Sequence, residues 1–338
     1  MERISSFVVC IRCVTYNHEP FILDSMNGFV MQKTDFPFVA VFVDDASTDN
    51  TPQVITSYFD SHFDTKDSSI AYQEECEFGK ILFARHKLNK NCYFAVVFLK
   101  ENHFKLKISK NRYFCRWSDN ANYIALCEGD DYWIDSHKLQ KQVSYLEQHK
   151  ECDMIACSSY WSINGVLYER NYASKEPRVL SVSEVISGGG SFIPTCSLLF
   201  SHRYLDDIPE WRRIANVGDY PLQIQGALEG KLFYLPEAMC VYRRGQKGSW
   251  ANRYYNNPDI RLNHQRAELT WMEELDRSTG HRYQKEIYGR FSSSIHILFR
   301  NKKASIREYC HCVRLVGSAS DKKRMIKNII KRLIHYNC

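Results

Sequence analysis

An acidic run directly after a short apolar segment constrains this chain more than any other feature. The segment Tyr123–Leu126 reads as a buried strand, and Glu128, Asp130 and Asp131 follow within a few positions. Like charges this close repel one another, and the repulsion costs more when the groups are partly buried. A divalent cation commonly offsets that cost. The run therefore indicates a hard-cation site, although a solvated acidic turn is an equally good interpretation of the run alone.

The first sixty residues alternate between apolar strands and amphipathic helices. Residues 7–13 and 38–43 read as buried strands, and residues 21–31 show helical spacing of apolar side chains. A second helix follows the capping residues 47–49 and continues to about residue 58. Strand, helix, strand and helix with short loops predict an α/β fold with a mostly parallel central sheet.

Polar clusters follow three of these strands. They span residues 15–19, 44–49 and 128–131. Ligands of parallel sheets bind outside the carboxyl ends of the strands, so we expect the site there. The chain has no G-x-G-x-x-G after the first strand and no P-loop motif, which argues against a dinucleotide site and a P-loop site.

Charge and hydropathy exclude further classes of function. The net charge of +6 is mild and is concentrated near the C-terminus, which argues against a nucleic-acid-binding protein. No run of 18 apolar residues and no signal-peptide core is present, so the sequence predicts no membrane span and a cytoplasmic location.

Four blocks in this order resemble the family 2 glycosyltransferases, whose nucleotide-sugar-binding domain has the GT-A fold. The blocks are residues 14–18, 43–51, 125–133 and 218–220. The resemblance covers residues 5–250 and is strongest to bacterial enzymes that build surface polysaccharides. It implies a GT-A domain over residues 1–250 and a helical, basic C-terminal region over residues 251–338.

The resemblance also implies a reaction and a cofactor. It predicts the transfer of a sugar, with inversion, from a nucleotide-sugar donor, expected to be a UDP-sugar, to a glycan or lipid-linked acceptor. Mn²⁺ or Mg²⁺ would assist. Family members carry Asp-x-Asp at the strand end, whereas this chain has Glu128 at the first position. Asp131 would be the main metal ligand, and Asp130 would touch the ribose or help to hold the metal.

The remaining site residues follow from the same resemblance. Asp45 would accept a hydrogen bond from the uracil ring, and Thr15, Tyr16 and Asn17 would line the base pocket. Without the resemblance, Asp45 could also be a helix N-cap.

Three residues near the end of the resembling region have predicted roles in catalysis and phosphate binding. Asp219 matches the general base, although its spacing also suits an ordinary helix N-cap. Arg243 and Arg244 match a basic site near the diphosphate, the alternative being ordinary surface arginines.

Two segments depart from the family pattern. Residues 88–117 form an unusually long connection, for which an acceptor-side flap, an extra strand and a poorly ordered loop all remain open. Residues 321–334 predict a helix with an apolar face flanked by basic residues, which suits either peripheral contact with anionic lipid or packing against the core.

Two other functions remain as alternatives. The first is a GT-A domain that binds nucleotides or glycans without catalysing transfer. The second is a nucleotidyltransferase, which the absence of a Gly-rich basic loop at residues 14–20 disfavours.

Overall fold

The computed structural model describes residues 7–169, 173–246, 249–291, 305–315, 319–320, 322–323, 325–327 and 330. The chain folds into two compact units. The first comprises residues 1–179, 193–206 and 229–244, and the second comprises residues 180–192, 207–228 and 245–338. The helical C-terminal residues are therefore grouped with two earlier segments, whereas the sequence interpretation placed a single boundary at residue 250.

The strands belong to one mixed sheet. In chain order they are β1 (Val9–Thr15), β2 (Phe38–Asp44), β3 (Ala71–Cys76), β4 (Gly79–Arg85), β5 (Cys92–Leu99), β6 (Tyr123–Leu126), β7 (Tyr132–Trp133), β8 (Met154–Ile163), β9 (Val166–Glu169), β10 (Arg178–Leu180), β11 (Leu199–Ser201) and β12 (Leu232–Arg244). The order is β10-β12-β8-β11-β6-β1-β2-β5-β4-β3, with β7 paired to β12 and β9 paired to β8.

The helices complete the two units. They are α1 (Ile22–Val30), α2 (Thr51–His62), α3 (His103–Leu106), α4 (Cys115–Ser118), α5 (Lys138–Gln148), α6 (Val182–Gly188), α7 (Glu210–Arg213), α8 (Asp219–Glu229), α9 (Trp250–Asn256), α10 (Pro258–Ser278), α11 (residues 284–291) and α12 (Ile306–Leu315). Within the described residues, no helix has both the length and the hydropathy that crossing a membrane requires.

The middle of the sheet is parallel, as predicted. Strand β1 pairs in parallel with β2 and β6, and β2 pairs in parallel with β5. Every residue of β2 is buried, which is expected for a strand covered on both faces. Strand β11 runs antiparallel between β6 and β8, so the sheet as a whole is mixed.

The long connection at residues 88–117 contains a strand of the sheet. Residues 92–99 form β5, between β2 and β4, so the extra-strand alternative describes this part correctly. The rest folds into α3, a 3₁₀ turn and α4. A cavity of about 740 Å³ lies between this segment and the β3–β4 hairpin, lined by Phe78, His103 and Trp117 among others.

Helix α1 packs closely on the sheet beside the acidic run. It buries Ile22, Met26 and Phe29, and the Phe29 ring lies 4.8 Å from the Trp133 ring in an edge-on contact. A Cβ atom at Gly28 would come within 2.9 Å of the Trp133 backbone, so glycine is what permits this approach. Because β7 directly follows the acidic run, the packing of α1 on Trp133 fixes the position of the last residues of that run.

The helix predicted for residues 321–334 lies largely outside the described residues. Within the described part, Met325 is buried, whereas Ile326 and Ile330 are exposed. The lipid contact inferred from this segment remains a prediction.

Candidate active site

The acidic run forms a short loop, residues 127–131, which we call the acidic loop. It joins β6 to β7 at the carboxyl edge of the sheet. The Gly129 N–H donates to the Val14 carbonyl at 3.1 Å. From α1, the buried Ser25 hydroxyl donates to the carbonyls of Gly129 and Asp131, at 3.0 and 2.5 Å. The loop is thus held by the end of β1 on one side and by α1 on the other.

Asp131 is a buried carboxylate with an incomplete set of partners. The residue is only 1% exposed, and Oδ1 accepts the Arg243 backbone N–H at 2.8 Å. The second oxygen, Oδ2, is buried and has no N–H or O–H donor among the described residues. The thiol of Cys196, a weak donor, gives limited support. Burial, followed by the charge of Asp130, raises the pKa of Asp131 well above its ordinary value.

Two more buried polar atoms without partners pack against the acidic loop. A Cβ atom at Gly129 would lie 2.8 Å from His18 Nδ1 and 2.9 Å from Thr15 Oγ1, so both side chains press on this glycine. Neither atom has a hydrogen-bond partner in the described structure. Burial lowers the pKa of His18, which favours the neutral imidazole near pH 7. Together with Oδ2 of Asp131, these are three buried polar atoms around the acidic loop that lack a strong partner among the described residues.

The predicted base-binding residues lie together at the ends of β1 and β2. The Asp45 N–H donates to the Thr15 carbonyl at 2.9 Å. Asn17 links the two loops, since its N–H donates to Ser47 Oγ at 2.9 Å and its Oδ1 accepts the Thr48 N–H at 2.8 Å. Tyr16, next to Asn17, is half-buried.

Asp45 already has three donors on its carboxylate. The residue is 2% exposed, and the carboxylate accepts the N–H groups of His103 and Phe104 at 2.7 and 3.1 Å. The ammonium of Lys110 lies 3.0 Å away. These donors come from the long connection after β5. Asp45 therefore holds that connection against the sheet, and its predicted contact with uracil would add to these bonds or replace one of them.

The two arginines at the end of β12 differ in their surroundings. The Arg243 side chain is 9% exposed, and its Nη1 donates to the Asp130 carbonyl at 2.7 Å while its Nη2 pairs with Asp24 of α1. The Arg244 guanidinium lies 4.2 Å from the centre of the Trp161 ring. The predicted phosphate contacts of both residues remain predictions, and the observed contacts of Arg243 are within the protein.

Asp219 is the first residue of α8 in the second unit. Its Oδ1 accepts the N–H of Tyr220 at 2.8 Å, and the residue is half-buried. The Tyr220 ring is buried against Trp271, at a centroid distance of 5.6 Å, and its hydroxyl donates to the Ile186 carbonyl. Asp219 is thus the first residue of the helix and not its N-cap, and its role as a base remains a prediction.

The donor set at the acidic loop fits a hard divalent cation that shares its ligands with a phosphate. The described residues contain no group of three or more His, Cys, Asp or Glu side chains placed to hold a metal. Asp131 and Asp130 can supply one or two carboxylates, and Oδ2 of Asp131 lacks a strong partner. Mg²⁺ and similar ions are commonly bound by one or two carboxylates, with phosphates and water completing the shell.

Several residues around the acidic loop could not be identified from the sequence. Asp24 and Ser25 lie in an ordinary amphipathic helix, and Cys196 lies in a short 3₁₀ helix before β11. No local pattern distinguishes them, because Ser25 lies 104 and 106 positions from its partners in the loop, and Asp24 lies 219 positions from its partner Arg243.

Comparisons with known proteins identify the family. A family model described as glycosyl transferase family 2 matches residues 10–81. The uncharacterised proteins Rv1520 of Mycobacterium tuberculosis and Mb1547 of Mycobacterium bovis are each 32% identical over 292 residues, which is 83% of this chain and 71% of theirs. The chain belongs to glycosyl transferase family 2. The resemblance of the four sequence blocks is thereby confirmed.

Solved structures confirm the GT-A fold. TarS of S. aureus, residues 1–349 in complex with UDP-GlcNAc, has a TM-score of 0.57 at 17% identity, covering 95% of this chain and 81% of that one. The mannosyltransferase PcManGT of Pyrobaculum calidifontis, in complex with GDP-Man and Mn²⁺, has a TM-score of 0.51 at 13% identity, covering 98% and 87%. This family 2 member therefore has the mixed α/β GT-A architecture with a helical C-terminal part.

Proposed function

We propose that this family 2 member transfers a sugar from a nucleotide diphosphate donor, with inversion, to a glycan or lipid-linked acceptor. The observation that carries the proposal is the buried Asp131, whose Oδ2 lacks a strong partner at the carboxyl edge of the sheet. A buried carboxylate in this state is costly unless a positive group completes its surroundings. Surface polysaccharide assembly is the process that we expect the reaction to serve.

The chain's own residues have distinct roles in the proposed reaction. The acceptor oxygen forms a bond to the anomeric carbon as the bond to the diphosphate breaks, and the electron pair of that bond leaves with the diphosphate. Asp219 would take the proton of the acceptor hydroxyl. Asp131 and Asp130 would hold Mn²⁺ or Mg²⁺, which supplies positive charge that neutralises the leaving diphosphate when bound.

Recognition of the donor would use the ends of β1 and β2. Thr15, Tyr16 and Asn17 would surround the base, and Asp45 would accept from its imide N–H. Arg244 would contribute charge near the diphosphate. We propose UDP as the nucleotide, as the family resemblance implies, with the imide N–H of uracil donating a hydrogen bond to the Asp45 carboxylate. The structural neighbours were solved with UDP-GlcNAc and with GDP-Man, so both nucleotides belong in the test.

A second candidate is a domain that binds the nucleotide without catalysing transfer. The observation in its favour is the carboxylate of Asp45, which three donors from the long connection already occupy. A domain of this kind would bind UDP or a glycan and release no UDP from a UDP-sugar.

Calorimetric titration with UDP and with GDP, each with Mn²⁺ and with EDTA, tests the proposal. We expect UDP to bind with a clear dependence on the metal, and Asp131→Ala to remove that dependence. Lack of binding by either nucleotide would overturn the proposed donor class. Asp219→Asn should abolish transfer from UDP-sugars while UDP binding persists, and loss of UDP binding in this variant would remove Asp219 from the role of base. A wild type that binds UDP but transfers none of the UDP-sugars tested favours the second candidate.

A further inference from the structure

The geometry around Arg243 points to a role other than the one that its sequence position suggests. We propose that Arg243 is a positioning residue, held by Asp24, which fixes the acidic loop so that Asp131 presents Oδ2 to a cation. The inference rests on the proposed function and deepens it. It assigns no contact between Arg243 and the substrate.

Arg243 binds the acidic loop twice, once through its backbone and once through its side chain. Its N–H binds Oδ1 of Asp131 at 2.8 Å, and its guanidinium donates to the carbonyl of Asp130 at 2.7 Å. One contact orients the carboxylate and the other fixes the peptide directly before it. With Oδ1 engaged, Oδ2 is the oxygen left for a ligand.

The surroundings of the guanidinium hold it in place. Its carbon lies 5.0 Å from the centre of the Phe21 ring and 4.4 Å from that of Tyr132. Asp24 of α1 pairs with its Nη2, and the side chain is only 9% exposed. An arginine stacked on aromatic rings and paired with a carboxylate has lost most of its freedom to move.

These contacts argue against direct phosphate binding. A diphosphate that took over both Nη groups in the usual two-point manner would displace Asp24 and the Asp130 carbonyl. The acidic loop would then lose its hydrogen bond from the guanidinium at the stage when Asp131 has to bind the cation. Groups that orient a metal ligand commonly change metal affinity or activity by about 10- to 100-fold when they are altered.

The experiment compares Arg243→Lys and Asp24→Asn by calorimetric titration of UDP, with Mn²⁺ and with EDTA. A positioning role predicts that both variants lose about 10- to 100-fold of the affinity that the metal adds. The affinity in EDTA should stay unchanged. Asp24→Asn distinguishes a positioning residue from a phosphate ligand. The substitution would release the Arg243 guanidinium, and a released guanidinium that bound phosphate would tighten UDP binding.

Arg203→Lys is the matched control. Arg203 binds Asp153 through Nε and Nη2, at 2.9 and 2.6 Å, and its guanidinium carbon lies 4.4 Å from the centre of the Tyr204 ring. Like Arg243, it pairs with an aspartate and packs on an aromatic ring. Its partner Asp153 directly precedes β8, whereas Arg243 lies opposite Ser162, near the other end of that strand. We expect this variant to bind UDP like the wild type in both conditions.

Two results would overturn the inference. In one, Arg243→Lys weakens UDP binding equally in Mn²⁺ and EDTA while Asp24→Asn leaves it unchanged or strengthens it, which identifies a phosphate ligand. In the other, neither variant alters the metal-dependent affinity. If Arg243→Lys does not fold, Asp24→Asn carries the test alone, since the Asp24 side chain is half exposed.

Hydrogen exchange separates this inference from the proposed function. The Asp131 N–H is protected by the Glu128 carbonyl at 3.0 Å. Arg243→Lys and Asp24→Asn should accelerate its exchange, and Arg203→Lys should not, whether or not the wild type binds a nucleotide. A wild type that binds neither UDP nor GDP would refute the proposed function, and unchanged exchange in both variants would refute the positioning role.

Discussion

Replacing Asp45 by Asn should destabilise the protein substantially. The side chain is 3% exposed. Its carboxylate accepts hydrogen bonds from two backbone N–H groups and forms an ion pair with Lys110. Asn keeps the volume but removes the charge, and it turns an NH₂ group toward donors. Breaking a buried ion pair costs about 3–5 kcal/mol. Since the Lys110 side chain is 17% exposed and can reach water, we expect a loss near about 3 kcal/mol, at the lower end of that range.

Urea unfolding followed by circular dichroism measures this loss. Lys110→Met should cost less, about 1–2 kcal/mol, because Asp45 keeps both backbone donors. The double variant should show a coupling of about 1 kcal/mol or more, since the two groups are in contact. Lys100→Met, which removes an exposed lysine bound to two carbonyls, is the control and should cost less than about 1 kcal/mol.

The reasoning is refuted if Asp45→Asn costs less than about 1 kcal/mol, or if the double variant is additive. The same proteins also test base recognition. If Asp45 binds uracil, Asp45→Asn weakens UDP binding while Lys110→Met, which leaves the carboxylate in place, does not. Equal UDP affinity in all three proteins would remove Asp45 from the base pocket.

Three further predictions concern the edge of the sheet. Asp131→Asn should raise the free energy of unfolding at pH 8 by about 1–3 kcal/mol, because an incompletely paired buried charge is removed, and it should abolish the Mn²⁺-dependent part of UDP binding. A less stable variant would contradict this. Gly129→Ala brings a Cβ atom to 2.8 Å from His18 Nδ1 and should weaken Mn²⁺-dependent UDP binding about 10-fold or more, whereas Gly289→Ala, which meets no atom within 4 Å, should not. Burial raises the pKa of Asp44 to about 6, so the folded state keeps a proton that the unfolded chain loses near pH 4, and stability should fall as the pH rises from about 4 to about 6. Asp44→Asn should remove this slope from the urea midpoints, and an unchanged slope would exclude Asp44 as its source.

The fold could be predicted because the central strands β1, β2 and β6 are mainly apolar and the helices between them are amphipathic. The ends of β1, β2 and β6 placed the polar clusters at one edge, since parallel strands end on the same side of a sheet. The partners of β5 could not be predicted. Its run of apolar residues fits any buried strand, and periodicity alone does not specify a neighbour.

The contacts of the site were less predictable than its residues. The resemblance placed Arg243 in a basic site near the diphosphate, but it could not show that the guanidinium packs on the rings of Phe21 and Tyr132. Strand β12 is continuous but shifts its register against β8 twice, between Leu235 and Ala238 and between Ala238 and Cys240. Side-chain partners of this kind depend on tertiary packing, which a local pattern does not encode.

The position of β12 in the chain has a consequence for biosynthesis. This strand delivers the N–H that binds Asp131, 112 residues after the carboxylate itself. At translation rates of about 5–20 residues per second, Asp131 is synthesised roughly 6–22 s before Arg243. During that interval β6 can pair with β1, but the acidic loop lacks its anchor on the β12 side. A nascent chain stalled before residue 243 should therefore contain a formed parallel sheet and a cation site that is still unassembled.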